Sequence, residues 1–187
     1  MKNVSHNVSF RALAGLTVVE VLIGLTAIAI VAMLSAPVID GLLQEHYLKK
    51  TSANLLSSLT LAQNEAARRG SIAKLCPSSD GKSCRPDGDW NQGWIVFVDS
   101  NANHVPEAVE IVEVYGPPKG AVRVEANDSF SSSAEFSFEG LLIDDHQQGN
   151  GKFRLCYGDQ KPGYREILVD ARGRAEVRQS EEDCGKS

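Results

Sequence analysis

The sequence predicts an α+β fold in which one long N-terminal helix packs on antiparallel β-sheets. Three observations predict it. From Leu16 to Ile39 every residue except Glu20 is apolar or small. Further on, Leu48, Leu55, Leu59, Ala62 and Ala66 recur at three- and four-residue spacing and make one apolar helix stripe. After Gly70 the pattern changes to short segments rich in β-branched and aromatic residues, parted by Gly, Pro, Asn and Asp clusters. The chain has 187 residues. Beyond the first 40 or so, it is long enough for one domain with a real core.

The apolar run comes first. Its roughly 24 residues would rise about 36 Å as a helix, enough to cross a hydrocarbon layer of roughly 30 Å. Lys2 and Arg11 precede it, which keeps the N-terminus on the cytoplasmic side. A cleaved secretory signal fits poorly, because Ala32 and Ser35 offer only a weak site near the end of the run. A plain anchor leaves Glu20 unexplained, since a carboxylate inside such a helix costs about 2.5–3.5 kcal/mol on insertion scales. Pro37 removes one backbone hydrogen bond and loosens the turn before it.

The second half of the helix spans Gly41 to Gly70. Arg68 and Arg69 suit the C-terminal end of its dipole, and Gly70 is the expected stop. Strands are then expected at Ser71–Leu75, Gly93–Val98, Glu110–Tyr115, Ala121–Glu125, Glu135–Phe138, Gly151–Tyr157, Arg165–Val169 and Arg174–Arg178. The last two form a hairpin that turns near Asp170–Gly173. Asn127–Phe136 and Leu141–Lys152 are expected as exposed polar loops, natural places for partner contacts. Cys76, Cys84, Cys156 and Cys184 are an even set without a CxxC pair or a histidine cluster, which argues for disulfides and against zinc. Three pairings exist. The shortest loops favour Cys76–Cys84 with Cys156–Cys184, and four buried free thiols are the alternative.

The segment Gly15 to Glu20, GLTVVE, resembles the cleavage site of type IV prepilins and type II secretion pseudopilins. A short basic leader ends in Gly15, an apolar Leu16 follows, and Glu20 is fifth after the cut. Thr17 and Pro37 also match. Family members commonly have Phe where this chain has Leu16. Gly93–Asn103, Phe153–Cys156 and Ile167–Val177 resemble the FimT/GspH branch of minor pilins and pseudopilins. The resemblance implies a pilin-like fold with a helix and two antiparallel sheets. It implies a leader at 1–15, an assembly and transmembrane half of the helix at 16–39, an amphipathic half at 40–69 and a periplasmic head at 70–187. A prepilin peptidase would cut after Gly15 and N-methylate Leu16. The protein would sit in the bacterial inner membrane as a single-pass subunit, then join other minor pilins or pseudopilins in a pilus or pseudopilus. The Glu20 carboxylate would pair with a neighbour's new α-amine and set axial register.

Other constellations carry less. Asp99, Asn101 and Asn103 form D-x-N-x-N, with Glu107 and Glu110 following. Such oxygens could hold calcium, but His104 stands where a calcium loop wants Gly, and Asx residues also build turns. The reading is a structural turn, with no metal and no cofactor. Arg165, Arg172, Arg174 and Arg178 cluster at the last hairpin. FimT-like DNA receptors resemble one another in a C-terminal G-R-x-R element. Here Glu176 replaces its second arginine, so DNA contact through Arg172, Arg174 and Arg178 is the minor reading beside a solvated hairpin. The net charge of −5 points the same way. His6, His46, His104 and His146 are scattered and no catalytic motif appears, so no enzymatic role is expected.

Overall fold

The computed structural model describes residues 17–143, 150–157 and 164–180, the side chains of 32–40, 164 and 180 excepted. Helix α1 runs Val18–Arg69. Thr17 starts it. Its Oγ1 accepts the Glu20 N–H at 3.3 Å, and its carbonyl accepts Glu20 and Val21 at 3.1 and 3.2 Å. A threonine cap with Glu three residues later is a helix-start signature. Glu20 thus also stands in the first turn, where the helix dipole favours a carboxylate. At the other end Glu65 holds Arg68 and Arg69 at 2.6 and 2.8 Å. Gly70 then takes φ +64° and ends the helix.

The chain divides into two compact units, Met1–Gly41 and Leu42–Ser187. In the first, the described apolar side chains from Val18 to Val31 are exposed. Among the described residues no helix is long and apolar enough to cross a membrane. This corrects two expectations, the transmembrane helix and the single-pass inner-membrane placement.

In the second unit the described residues form two antiparallel sheets. Their strands are β1 (Ile72–Pro77), β2 (Trp94–Asp99), β3 (Ile111–Tyr115), β4 (Val122–Ala126), β5 (Ala134–Phe136), β6 (Leu142–Ile143), β7 (Asn150–Tyr157), β8 (Tyr164–Asp170) and β9 (Ala175–Ser180). One sheet has the order β3-β2-β1-β5-β6, the other β4-β7-β8-β9. The helix stripe Leu48, Leu55, Leu59, Ala62 and Ala66 shares one buried core with Leu75, Val96 and Phe136 of the first sheet and Val124, Phe153 and Ile167 of the second. Ser58 of α1 accepts the buried Trp94 indole N–H at 2.8 Å, so the polar edge of that ring is satisfied inside the core.

Every residue of β2 is buried. Trp94, Val96 and Val98 face the main core, while Ile95 and Phe97 join Cys76 in a second cluster that Cys84 and Ile111 cover. A disulfide joins Cys76 to Cys84 with Cα atoms 5.5 Å apart. It pins the loop after β1 over that outer face. Cys156, buried on β7, is also disulfide-bonded. Cys184 lies outside the described residues.

The two expected polar loops differ from the sequence reading. Asn127–Phe136 contains a short 3-10 turn, Asp128–Phe130, whose Phe130 is buried, and then strand β5. The Phe130 carbonyl accepts the Trp90 indole N–H at 3.1 Å, and its ring lies 4.9 Å from that of Phe153. A Cβ on Gly151 would overlap the Phe130 ring, which explains the glycine at that point of β7. Leu141–Lys152 contributes β6 and the start of β7. Residues 144–149 of it lie outside the described ones.

Candidate functional site

The last hairpin gathers the arginines. Asp170 accepts the backbone N–H groups of Arg172 and Arg174, both at 3.0 Å, and so builds the turn between β8 and β9. Gly173 takes φ +75°, and a Cβ there would strike the Gly140 carbonyl and Gln63. Gln63 of α1 donates to the carbonyls of Gly140 at 2.8 Å and Arg172 at 3.1 Å, docking two turns on the helix. Arg174 pairs with Asp170 at 2.8 Å and Arg178 with Glu176 at 3.0 Å. The Arg174 backbone N–H and guanidinium hold Asp170 below its ordinary pKa, and the Arg178 guanidinium does the same for Glu176. Arg165 reaches away to Glu45 of α1 at 2.7 Å. A shallow groove of about 620 Å³ runs beside Asn150, Leu168, Asp170, Arg174, Glu176 and Arg178. Its two acids oppose its two arginines, so its lining is balanced in charge and is no cationic track for a phosphate backbone.

The loop between β2 and β3 is a second polar constellation. Asp99 is buried, and its two oxygens accept the N–H groups of Asn103 at 3.1 Å and His104 at 3.0 Å. Asn101 and Asn103 accept the N–H groups of Asn103 and Val105 and donate their amides to Glu107. The Asx residues therefore build the turn through their own backbone. Beside it the nearly buried Lys74 pairs with Glu135 at 2.7 Å and contacts His104 Nδ1 at 2.7 Å. Among the described residues no three His, Cys, Asp or Glu side chains converge as metal ligands.

At the N-terminus, Glu20 is exposed in the first turn of α1. Gly15 and Leu16 lie outside the described residues. Pro37 falls within α1, and its side chain is not among those described. What the sequence reading missed is the cap: Thr17 and Glu20 carry the start signature of a helix in plain view.

Residues 51–173 match the model of the family described as type II transport protein GspH. That span holds most of the second unit, from α1 through the turn at Gly173. The chain belongs to the GspH family. Membership in this minor pilin and pseudopilin family makes it a structural subunit by kinship. The family match does not reach Gly15, Leu16 or Glu20. The fold of this GspH-family chain is similar to that of the type IV minor pilin FimU of Pseudomonas aeruginosa strain PAO1. Identity is 15% and the TM-score 0.56, over 72% of this chain and 90% of that one. A second crystal form of FimU gives 15% and 0.54, over 70% and 92%. The minor pseudopilin EpsH of the type 2 secretion system of Vibrio cholerae aligns at 9% identity and a TM-score of 0.49, over 72% of this chain and 96% of that one. At 15% identity the likeness to FimU is one of fold. No curated protein matches the chain in sequence.

Proposed function

We propose that this chain is a minor type IV pilin, a subunit that initiates or tips a pilus and thereby serves its biogenesis, twitching motility and adhesion. The observation that carries this reading is the contrast between a head with a closed core and an apolar helix with none. Val18, Ile23, Ile28 and Val31 are each more than 60% exposed. A surface that apolar marks an interaction site, and protein is one cover that fits it. Neighbouring subunits supply it in a filament. A prepilin peptidase cuts after Gly15 and methylates Leu16. The Glu20 carboxylate then meets the α-amine of a neighbour, and in apolar surroundings the pair is tolerated where either charge alone is not. Pro37 loosens the helix during packing, and other minor pilins are the partners.

Intact mass tests the processing step, which predicts loss of residues 1–15 with one added methyl group. Glu20→Ala tests the pairing: the variant keeps its folded head and fails to enter filaments. Normal incorporation of that variant would overturn the register argument.

A second reading, a GspH-type pseudopilin of a type II secretion system, is favoured by the family description. Deletion separates the two, through lost twitching in one case and lost enzyme export in the other. DNA reception is weaker, because Arg174 and Arg178 are already paired with carboxylates. A salt-dependent gel shift that disappears in Arg172→Ala would revive it.

A further inference from the structure

We propose that the loop from Asp99 to Glu110 is a calcium site. Twelve-residue calcium loops take their oxygens from positions 1, 3, 5, 7, 9 and 12, with the ligand at 7 a backbone carbonyl and the one at 12 a glutamate. Counted from Asp99, those positions are Asp99, Asn101, Asn103, Val105, Glu107 and Glu110. The sixth position ordinarily needs glycine for a sharp turn. Here it is His104, which adopts φ +61° all the same. The turn that a calcium loop requires is therefore present without the glycine.

Glu110 supplies the independent observation. It is only 4% exposed, and its Oε2 is buried without a hydrogen-bond partner. Its Oε1 accepts the Ser100 N–H at 2.8 Å, and its carbonyl accepts the Val98 N–H at 3.0 Å. Residue 12 of the loop is thereby clamped against the loop's first residues, with one carboxylate oxygen left over. A buried, unpaired carboxylate oxygen is costly, and a cation beside it removes the cost. Each Asp99 oxygen accepts a backbone N–H of the loop and has a second lone pair to give.

Asp99, Glu107 and Glu110 do not converge as three direct ligands, so Glu107, at position 9, would act through water, and the cation would also draw on the amide oxygens of Asn101 and Asn103 and on the Val105 carbonyl. That donor set is all hard oxygen, which excludes the nitrogen and sulfur preferences of zinc. It is also irregular, which suits calcium with its six to eight flexible ligands better than octahedral magnesium. The site is independent of the assembly reading above.

The test uses the full chain in detergent, stripped with EDTA and melted with and without calcium chloride at about 5 mM, above the affinity range of extracellular calcium modules. The expected result is a rise of about 3–5 °C in Tm, the shift given by a ligand at about ten times its dissociation constant in a domain of this size. Magnesium chloride at the same concentration gives a clearly smaller shift. Glu110→Gln retains its circular dichroism and loses the calcium shift. If that variant does not fold, Asn101→Ala, altered on the exposed rim of the loop, lowers calcium affinity about tenfold. The proposal is overturned by no shift in the unaltered chain, by an equal shift with magnesium, or by an undiminished shift in whichever variant folds.

Discussion

Helix α1 contains two apolar stretches that meet opposite fates. Leu48, Leu55, Leu59, Ala62 and Ala66 are buried, while Ala53, Ser57, Thr60 and Asn64 between them face solvent. That stretch is amphipathic, and the two sheets cover its apolar face. From Val18 to Val31 the helix is apolar or small all round except at Glu20 and Thr26, and its described side chains are exposed. A helix apolar all round needs cover in every direction. The difference teaches that one stretch is a core element of its own unit while the described side chains of the other find no cover there. Hydrophobicity alone does not separate them; the number of apolar faces does.

The comparison can be broken most directly by truncation. Leu59→Ala should destabilise the second unit by about 2–5 kcal/mol, as for other fully buried leucines. Ile28→Ala should change the same unfolding transition by less than about 0.5 kcal/mol. Urea unfolding followed by the fluorescence of the buried Trp90 and Trp94 reads both, and equal costs would erase the distinction. Next in size is the disulfide over the outer face of β2. Cys84→Ser removes a short closed loop and should cost about 2–3 kcal/mol in the same assay. A reducing agent should cost the unaltered chain at least as much, because it also opens the disulfide of Cys156. Ser58→Ala comes after it, because it leaves the Trp94 indole N–H unpaired in the core; about 1–3 kcal/mol is expected from calorimetry.

The smallest effect is electrostatic. Asp80 is held well below the usual carboxylate range by the N–H groups of Lys82 and Ser83 and the Ser83 hydroxyl. Asp170 is lowered by the Arg174 backbone N–H and guanidinium. Burial would raise Glu45, but the hydrogen bonds from Arg165 and Lys49 outweigh it and lower its pKa. A carboxyl depressed in the folded state stabilises that state above its unfolded pKa and loses the contribution as pH falls through the folded value. Stability from these groups should therefore be flat from about pH 5 to 7 and decline below about pH 4. Asp80→Asn should shallow that decline in an acid titration followed by circular dichroism. An unchanged acid limb would show that Asp80 carries none of it.

Much of this architecture is legible along the chain because it rests on local signals. The helix stripe, the stop at Gly70 and the turn at Asp170–Gly173 each arise from periodicity or from a residue type with a conformational preference. Strand β6 was not legible, since Leu142 and Ile143 have no pattern of their own and pair only because Phe136 and Glu135 lie beside them. Nor was the burial of Phe130 amid a run of serines. Its cover comes from Phe153 and Trp90, which lie 23 and 40 positions away along the chain.

By itself, the sequence determined the α+β class, the long helix and the kinship with pilins, because spacing and composition act over a few neighbouring residues. The tertiary structure alone decided which polar groups find partners. It brought Glu45 to Arg165, 120 positions apart, and Lys74 to Glu135, and left one oxygen of Glu110 buried and unmatched. Charges and hydrogen bonds act over a few ångströms of space, and no one-dimensional pattern encodes which residues the fold will bring within that reach.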